Sequence, residues 1–388
     1  MSPSNNCQPK VDHVAIVGAG LMGRLTAVSL ARAGYQITLI DKDDKKGHQS
    51  AAYAAAGLLT PLGEAIHSEA SIVNMGFASL GLWPDILSSL SSYTFFQQQG
   101  SIAVAHEQDQ GDLQRFSRYI THHYQQHCLQ KLDRQQLLAL EPEISRHFNH
   151  GLYLPEEGQI GSRKLLIALA AEISQLSVEW LASSHVSAIM QRDNGARLTI
   201  NSLTRDFDLV IDCRGAGARK NQAQHAMPLT DLRAVRGEIF QLFAPEVTIN
   251  RPIRLMHPRY QLYIAPKPNG HYVVGATEIE SDDQSPMTVR SAMELLSAAY
   301  SVHSGFAEAN IRQHVSQLRP AFSDNLPRIN IDNRVIHVNG LYRHGFLIAP
   351  VVLAQLTHAV EAVIGNKVNT KSPYQHLLPV QLHHEYIH

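Results

Sequence analysis

A glycine-rich motif close to the amino terminus constrains the fold more than any other feature of this sequence. Residues 18–23 form a G-x-G-x-x-G pattern, which follows a short β-branched run at 14–17 and opens a stretch with helical apolar spacing at 21–33. A second apolar run at 36–40 ends on an acid, Asp41, 18 residues beyond the last glycine. Strand, glycines, helix and acid together predict a β-α-β unit that binds a dinucleotide.

Each glycine in such a motif has a steric task. Gly18 permits the tight turn, Gly20 lets a pyrophosphate approach the backbone at the positive end of the helix, and Gly23 allows close packing. The carboxylate of Asp41 can accept hydrogen bonds from a ribose. We therefore predict cofactor contacts along this stretch from Gly18, Ala19, Gly20, Leu21, Met22, Gly23, Asp41 and Lys42.

The motif alone does not choose between a nicotinamide and a flavin dinucleotide. A segment of small residues, 50–59, follows the acid, and a second glycine pair, Gly215 and Gly217, follows a buried strand at 208–212. Both features are easier to explain with a long dinucleotide whose far end enters the protein. An NAD(P)-dependent dehydrogenase stays open as an alternative at this point.

Length and composition narrow the class of protein further. A chain of 388 residues is expected to form about two domains, and a net charge of −1 argues against a nucleic-acid binder that works by bulk charge. Three cysteines are too few and too scattered for a disulfide framework, which fits a reducing compartment. Residues 1–10 are polar, and no run reaches the roughly 18 apolar residues of a membrane span. We expect a soluble cytoplasmic protein without a transmembrane segment.

The 22 histidines raise the question of a metal. His123 and His127 have the i, i+4 spacing of ligands on one helix, with a cysteine beside them, but no third ligand is evident. We predict a solvated polar helix there and no metal site. The histidines within 383–388 are interpreted as a polar tail, whereas His257 and His344 are candidates to line a ligand pocket.

The order of predicted elements indicates an α/β architecture. α/β rhythm near both ends of the chain, and a hairpin signal between strands at 260–266 and 271–277, predict a Rossmann-like dinucleotide-binding domain interrupted by an α+β, antiparallel-sheet substrate domain. We assign residues to the first domain over 1–85, 145–230 and 320–388, and to the second over 86–144 and 231–319.

Apolar spacing and proline positions predict the local structure of three further segments. We expect helical segments at 64–90, interrupted at Pro84, and at 111–141. We also expect a loop at 341–348 that leads into a helix at 350–364, because a proline is favoured at the first position of a helix.

Several further motifs follow the glycine motif in a fixed order. They are Ala54-Ala55-Ala56-Gly57-Leu58-Leu59-Thr60-Pro61, Val235-Arg236-Gly237-Glu238, Tyr263-Ile264-Ala265-Pro266, Gly275-Ala276-Thr277, Leu318-Arg319-Pro320 and Tyr342-Arg343-His344-Gly345-Phe346-Leu347-Ile348-Ala349-Pro350. In their order and spacing the chain resembles the D-amino acid oxidase family of flavoproteins over nearly its whole length. Within that family it is most similar to the glycine oxidases of thiamine biosynthesis.

This resemblance implies a cofactor and a reaction. The cofactor is FAD, bound non-covalently, because none of the cysteines lies where relatives attach the flavin. The reaction is oxidation of a primary or secondary amine beside a carboxylate, with hydride transfer from Cα to flavin N5 and hydrolysis of the imine to an oxo-acid. Glycine, sarcosine or a D-amino acid is the expected substrate, and oxygen or another acceptor reoxidises the flavin.

Two other functions remain open beside this one. A D-amino acid dehydrogenase would share the fold and pass electrons to a quinone or other acceptor. A non-catalytic flavin-binding protein would keep the cofactor site without the reaction. The sequence leaves a homo-oligomer open as well.

The resemblance also assigns roles to individual residues. Arg319 would clamp the substrate carboxylate with two hydrogen bonds, Tyr263 would donate to the same group, and Arg343 would be a second pocket arginine. Backbone N–H donors to the flavin would come from the loop residues Arg343, His344, Gly345, Phe346, Leu347 and Ile348. Further FAD contacts are expected from Ser50, Ala54, Ala55, Ala56, Gly57, Leu58, Val186, Arg214 and Gly215. Whether Arg214 faces the cofactor phosphates or solvent is left open.

Overall fold

A mostly parallel β-sheet forms the layer that carries the glycine motif. The structure is a computed structural model that describes residues 12–224, 229–257, 262–365 and 372–382. Seven strands within these residues form the sheet, in the spatial order Val380–Leu382, Arg328–Asp332, Val335–Asn339, Leu209–Asp212, His13–Val17, Gln36–Ile40 and Val178–Leu181. All neighbours pair in parallel except the hairpin of the second and third strands.

Eight described α-helices cover this sheet and the rest of the fold. They are α1 (Leu21–Arg32), α2 (Pro61–Glu64), α3 (Ala70–Ser88), α4 (Gln110–His123), α5 (Arg134–Leu140), α6 (Ser162–Gln175), α7 (Val289–Val302) and α8 (Gly345–Ile364). Short 3-10 helices occur at Ala51–Ala54, Glu107–Asp109, Gly215–Gln224, Ser304–Glu308 and Tyr342–His344. Helices α1, α3, α6 and α8 pack against one another beside the parallel sheet and share its largest apolar core.

A second, mostly antiparallel sheet packs in the other part of the fold. Its eight described strands are, in spatial order, Asn310–Ala321, Arg233–Phe243, His271–Gly275, Leu262–Lys267, Ile253–Met256, Ser101–Ala105, Gly151–Leu154 and Gln130–Leu132. Two three-stranded antiparallel sheets complete the described strands, one at Val186–Arg192, Gly195–Ile200 and Leu203–Phe207 and the other at Leu58–Leu59, Gly158–Ile160 and Phe96–Gln97.

The two kinds of sheet confirm the predicted fold class. The glycine motif lies between the central strand His13–Val17 and α1, and Gln36–Ile40 pairs in parallel beside that strand, as expected. The domain boundaries stay a prediction. The strand Gly151–Leu154, which we assigned to the dinucleotide-binding domain, pairs with Ser101–Ala105 in the antiparallel sheet.

Helix α8 corrects the prediction for the last glycine-containing loop. The helix begins at Gly345, so Pro350 lies inside it and 345–348 are helical rather than a loop. A proline inside a helix leaves the carbonyl four residues earlier without its N–H donor. Here the indole Nε1 of Trp83 donates to that carbonyl, on Phe346, at 3.0 Å. A tertiary hydrogen bond thus replaces the missing helical one.

Other differences also reflect packing that local patterns do not encode. Pro84 lies within the continuous helix α3 and does not interrupt it. The segment 111–141 is not one helical region, because the strand Gln130–Leu132 separates α4 from α5. Two of the seven residues predicted as the strand 260–266, and the histidines within 383–388, lie outside the described residues.

Helix α8 is long and strongly apolar. By length and composition Tyr342–Ile364 would be long and apolar enough to cross a membrane, contrary to our expectation that no run would be. In the structure 56% of the 18-residue window is buried inside the protein, against α1 and α3. An apolar helix that is buried between other helices is typical of a protein core.

Candidate functional site

A large cavity of about 1830 Å³ lies between the carboxyl ends of the parallel strands and the antiparallel sheet. Almost every residue predicted to bind cofactor or substrate borders it. They are Gly18, Ala19, Gly20, Leu21, Met22, Asp41, Lys42, Ser50, Ala54, Ala55, Ala56, Gly57, Leu58, Val186, Arg214, Gly215, Tyr263, Arg319, Arg343, His344, Gly345, Phe346 and Leu347. The exceptions are Gly23 and Ile348, which are not among the lining residues.

The three glycines of the motif differ in what surrounds them. A Cβ on Gly18 would lie 2.6 Å from the carbonyl oxygen of Cys213, and one on Gly23 would lie 1.7 Å from that of Gly18. These glycines therefore allow close backbone packing, which explains why Gly23 does not border the cavity. At Gly20 a Cβ would meet only the Ser50 side chain, at 3.8 Å. The space in front of Gly20 belongs to the cavity, as expected for the glycine that a pyrophosphate approaches.

Two charged side chains hold the glycine loop in place. The backbone N–H of Ala19 donates to the Asp41 carboxylate, so the acid lies beside the motif as the sequence predicts. Sequence reasoning missed Arg24, which is 1% exposed. Its guanidinium donates to three carbonyls, including those of Ala19 at 2.7 Å and Leu166 at 2.7 Å. The charge of Arg24 inside a helix of mostly apolar residues was the signal that could have identified it.

The small-residue segment forms one wall of the cavity and is held from behind. The Ser162 hydroxyl donates to the Ala55 carbonyl at 2.6 Å. Arg163 Nε donates to the Tyr53 carbonyl at 3.0 Å, and its guanidinium stacks 3.7 Å from the centre of the Tyr53 ring. Ser162 and Arg163 are not among the cavity-lining residues, so they support the wall without facing a substrate.

The undecided orientation of Arg214 has a definite answer in the structure. Its Nε and Nη2 each donate to the Asp212 carboxylate at 2.8 Å, which forms a two-pronged pair. Burial alone would raise the pKa of Asp212, but Arg214 and then His337 hold that pKa far below its usual range. Arg214 also borders the cavity, so a neutralised pair, rather than an isolated cation, lies at this point of its wall.

The first turn of α8 carries backbone N–H groups at the border of the cavity. His344 is the N-cap, and the backbone N–H of Gly345, Phe346 and Leu347 have no acceptor within the helix. All three residues line the cavity. The N–H of Ile348 is at the position that bonds the N-cap carbonyl, and its side chain is fully buried, so Ile348 is not a donor to the cavity.

Arg319 also borders the cavity, on the strand Asn310–Ala321. Its guanidinium covers the backbone of Gly237, where a Cβ would lie 2.2 Å from Cζ. Nη1 donates to the Thr277 carbonyl at 3.0 Å, and no ion pair of Arg319 occurs within the described residues. This arginine can therefore accept an anionic ligand without releasing a carboxylate of the protein.

Tyr263 and two further arginines border the same part of the cavity as Arg319. Burial raises the pKa of Tyr263, and the charges of Arg319, Glu64, Arg254 and Arg343 also act on it. All of these residues line the cavity. The structure therefore brings together the three side chains predicted to contact the substrate, and adds Glu64 and Arg254, which the sequence did not single out.

Glu64 is the centre of the charged cluster. Its Oε1 lies 2.7 Å from Arg254 Nη2, and its Oε2 lies 2.8 Å from Arg343 Nη2. Burial alone would raise the pKa of Glu64, but the two guanidinium groups hold it well below its usual range. Arg343 Nη1 also bonds Glu278 at 2.8 Å. Three arginines against two carboxylates leave one positive charge at this end of the cavity.

His344 and His257 both border the cavity. Burial lowers the pKa of His344 to about 4, so its ring is neutral at pH 7. Its Nε2 lies 3.2 Å from the Ser68 hydroxyl. By contrast His127 is not on a helix with His123, because α4 ends at His123, and it stacks 3.5 Å from the Phe77 ring centre. The described part of the chain contains no group of three or more side chains that could hold a metal ion.

Comparison with known proteins agrees with this geometry. The family model described as FAD dependent oxidoreductase, DAO, matches residues 13–358. A protein from Rhizobium etli named as a thiamine biosynthesis oxidoreductase, ThiO, is 36% identical over 347 residues, which cover 89% of this chain and 95% of that protein.

Solved structures share the fold at lower identity. The glycine oxidase from Geobacillus kaustophilus has a TM-score of 0.79 and 22% identity, covering 95% of this chain and 98% of that one. The dithionite-reduced L-α-glycerophosphate oxidase from Mycoplasma pneumoniae with FAD bound has a TM-score of 0.76 and 20% identity, covering 94% and 97%. The family match decides between the nicotinamide and flavin alternatives, and the chain belongs to the DAO family of FAD-dependent oxidoreductases.

Proposed function

We propose that this protein oxidises a small amino acid or secondary amine, such as glycine, sarcosine or a D-amino acid, with non-covalently bound FAD. The observation that carries the proposal is Arg319, a cavity arginine without an ion pair in the described residues, beside Tyr263. The names of the similar proteins, a thiamine biosynthesis oxidoreductase and a glycine oxidase, support the same substrate class.

The residues around the cavity fit a long flavin dinucleotide. Gly20 and the start of α1 would face the pyrophosphate, and Asp41 would accept from the ribose. The donors Gly345, Phe346 and Leu347 would face the far end of the cofactor, where helix polarity favours negative charge. When bound, FAD supplies the acceptor for the hydride that leaves Cα of the substrate.

The chain's own contribution is orientation and charge. Arg319 would hold the substrate carboxylate with two hydrogen bonds and Tyr263 would donate to the same group, which fixes Cα relative to the rest of the cavity. The single excess positive charge of the cluster matches one carboxylate. We assign cofactor binding to the parallel-sheet segments and substrate binding to the antiparallel-sheet segments, with the boundaries given above.

Non-covalent attachment is supported by the two cysteines in the described residues. Burial raises the pKa of Cys213 well above its usual range, so it is a thiol and not the reactive thiolate. Cys128 is exposed and does not border the cavity. FAD is therefore expected in the supernatant after acid precipitation of the protein, and flavin that stays with the pellet would contradict this part of the proposal.

Anaerobic mixing tests the reaction. Purified protein with FAD should lose its absorbance near 450 nm on addition of glycine, sarcosine or a D-amino acid. Arg319→Ala should raise the KM by about tenfold or more, since a charged hydrogen bond contributes about 1.5–3 kcal/mol. The control is Arg312→Ala, which removes an exposed arginine of the same strand outside the cavity.

The outcome also separates the remaining alternatives. Bleaching by an amine followed by slow reoxidation in air, and fast reoxidation by a quinone, would indicate a dehydrogenase. No bleaching by any of these amines would leave a non-catalytic flavin-binding protein as the better explanation. Equal effects of the two arginine substitutions would contradict the role of Arg319.

A further inference from the structure

A buried acid that does not border the cavity lies directly behind the charged cluster. Glu157, in the turn between the strands Gly151–Leu154 and Gly158–Ile160, is 0% exposed. One carboxyl oxygen accepts from the backbone N–H of Gly63 at 2.7 Å, and the other accepts from the Ser101 hydroxyl. Burying a carboxyl group is costly unless hydrogen bonds or charges compensate for the lost water, and these two bonds do so here.

Glu157 is connected to the cavity through the backbone of Gly63. Gly63 precedes Glu64, which holds Arg254 and Arg343 by its two oxygens. The fit at this point is close, because a Cβ on Gly63 would lie 2.9 Å from Arg254 Nη2. The hydrogen bond from the Gly63 N–H to Glu157 therefore holds the Leu62–Gly63 peptide, which directly precedes the residue with the central carboxylate of the cluster.

We propose that Glu157 is a positioning residue for the substrate carboxylate, which acts by holding the Leu62–Gly63 peptide directly before Glu64 and by changing the charge behind the cluster. This inference rests on the proposed function. The inference goes beyond the proposed function, because nothing in the proposed chemistry requires a further acid outside the cavity.

The charge of Glu157 is set by its surroundings. Burial raises the pKa of Glu157 to about 7, against the hydrogen bonds from Ser101 and Gly63 and the charge of Arg254, while Glu64 adds to the rise. Below this pH Glu157 is neutral, and the cluster keeps its excess positive charge. Above this pH the ionised carboxylate of Glu157 cancels the excess positive charge of the cluster. The affinity of the cavity for an anionic ligand should therefore fall as the pH rises.

Acetate is a suitable probe, because it is a carboxylate without an amine and is fully ionised between pH 6 and 8.5. Its dissociation constant from the FAD-loaded protein can be followed by the flavin absorbance. In the wild-type protein it should rise about fivefold across this range, the order expected for one charge at partly screened distance. In Glu157→Gln, which stays neutral and still accepts from Gly63, it should be independent of pH and equal to the low-pH value.

Two further variants test whether the pH dependence comes from Glu157. Ser101→Ala removes a bond that lowers the pKa of Glu157, so the midpoint of the pH dependence should move upward. Glu156→Gln is the control, because Glu156 bonds His127 and Cys128 outside the cavity and should leave the dependence unchanged.

The inference is overturned if Glu157→Gln keeps the wild-type pH dependence of acetate binding, or if Ser101→Ala leaves the midpoint in place. A protein that no amine reduces, but whose acetate affinity follows Glu157, would contradict the proposed function and leave the positioning role supported. If an amine reduces the flavin but neither variant changes acetate binding, the proposed function is supported and the role of Glu157 is contradicted.

Discussion

Gly237 offers a way to move Arg319 without removing its charge. The alanine Cβ in Gly237→Ala would lie 2.2 Å from the guanidinium carbon, whereas ordinary contact begins at 3.4 Å. The guanidinium must therefore shift by roughly 1 Å, which is sufficient to disturb its hydrogen bond to Thr277 and any two-pronged bond to a carboxylate. The end of an arginine is flexible, so the fold itself should tolerate the change.

The expected effect is a loss of carboxylate affinity. A charged hydrogen bond contributes about 1.5–3 kcal/mol, so the dissociation constant for acetate should rise about 10- to 150-fold. Because the bond is made in the ground state as well as during reaction, the KM for the amine should rise with a smaller change in kcat. Thermal unfolding and FAD content should stay close to wild type. Gly81→Ala, on α3 with nothing within 4 Å of the added Cβ, is the matched control.

A double substitution decides whether the effect passes through Arg319. In an Arg319→Ala background the guanidinium is gone, so Gly237→Ala should cause little further loss of affinity. Two residues in contact should show this non-additivity, whereas independent sites add. Full additivity, or wild-type acetate affinity in Gly237→Ala alone, would refute the reasoning that Arg319 receives the carboxylate from its position over Gly237.

Two predictions concern stability. Trp83→Phe removes the donor to the helix carbonyl that Pro350 leaves without a partner, so it should lower the free energy of unfolding by about 1–3 kcal/mol. Adding Pro350→Ala restores an N–H at that position and should recover part of the lost stability in urea titrations. No recovery would contradict this account. Burial lowers the pKa of Lys267 to about 7, so the unfolded chain binds more protons above that pH and stability should rise from pH 7 towards about 10. Lys267→Met should flatten the rise, and an unchanged slope in urea titrations at several pH values would speak against it.

The parts of the site that the sequence predicts are those encoded by neighbouring residues. Gly18 and Gly23 are required because a Cβ at these positions would lie 2.6 and 1.7 Å from backbone carbonyl oxygens. The acid at position 41 follows its strand directly and therefore meets the start of α1. Local sequence is sufficient here because the turn, the helix end and the acid belong to one β-α-β unit.

The charged cluster could not be predicted in the same way. Glu64 lies on α2, Arg254 on a strand of the antiparallel sheet, and Arg343 on the turn before α8. In the sequence each is a single charged residue, and most such residues are exposed. Only the packing of distant segments shows that Glu64 is enclosed by two arginines, and that Glu157 supports it from behind.

The start of α8 shows why one local rule failed and what the failure means for the site. The preference of proline for a first helical position pointed to Pro350, yet the helix begins five residues earlier, at Gly345. In that extended helix Trp83, from α3, supplies the donor that Pro350 lacks. The donors expected from a loop are therefore the first turn of a buried helix, where the backbone is rigid and the helix dipole adds to the N–H groups. A core tryptophan that does not itself border the cavity thus helps to hold the helix turn whose residues line it.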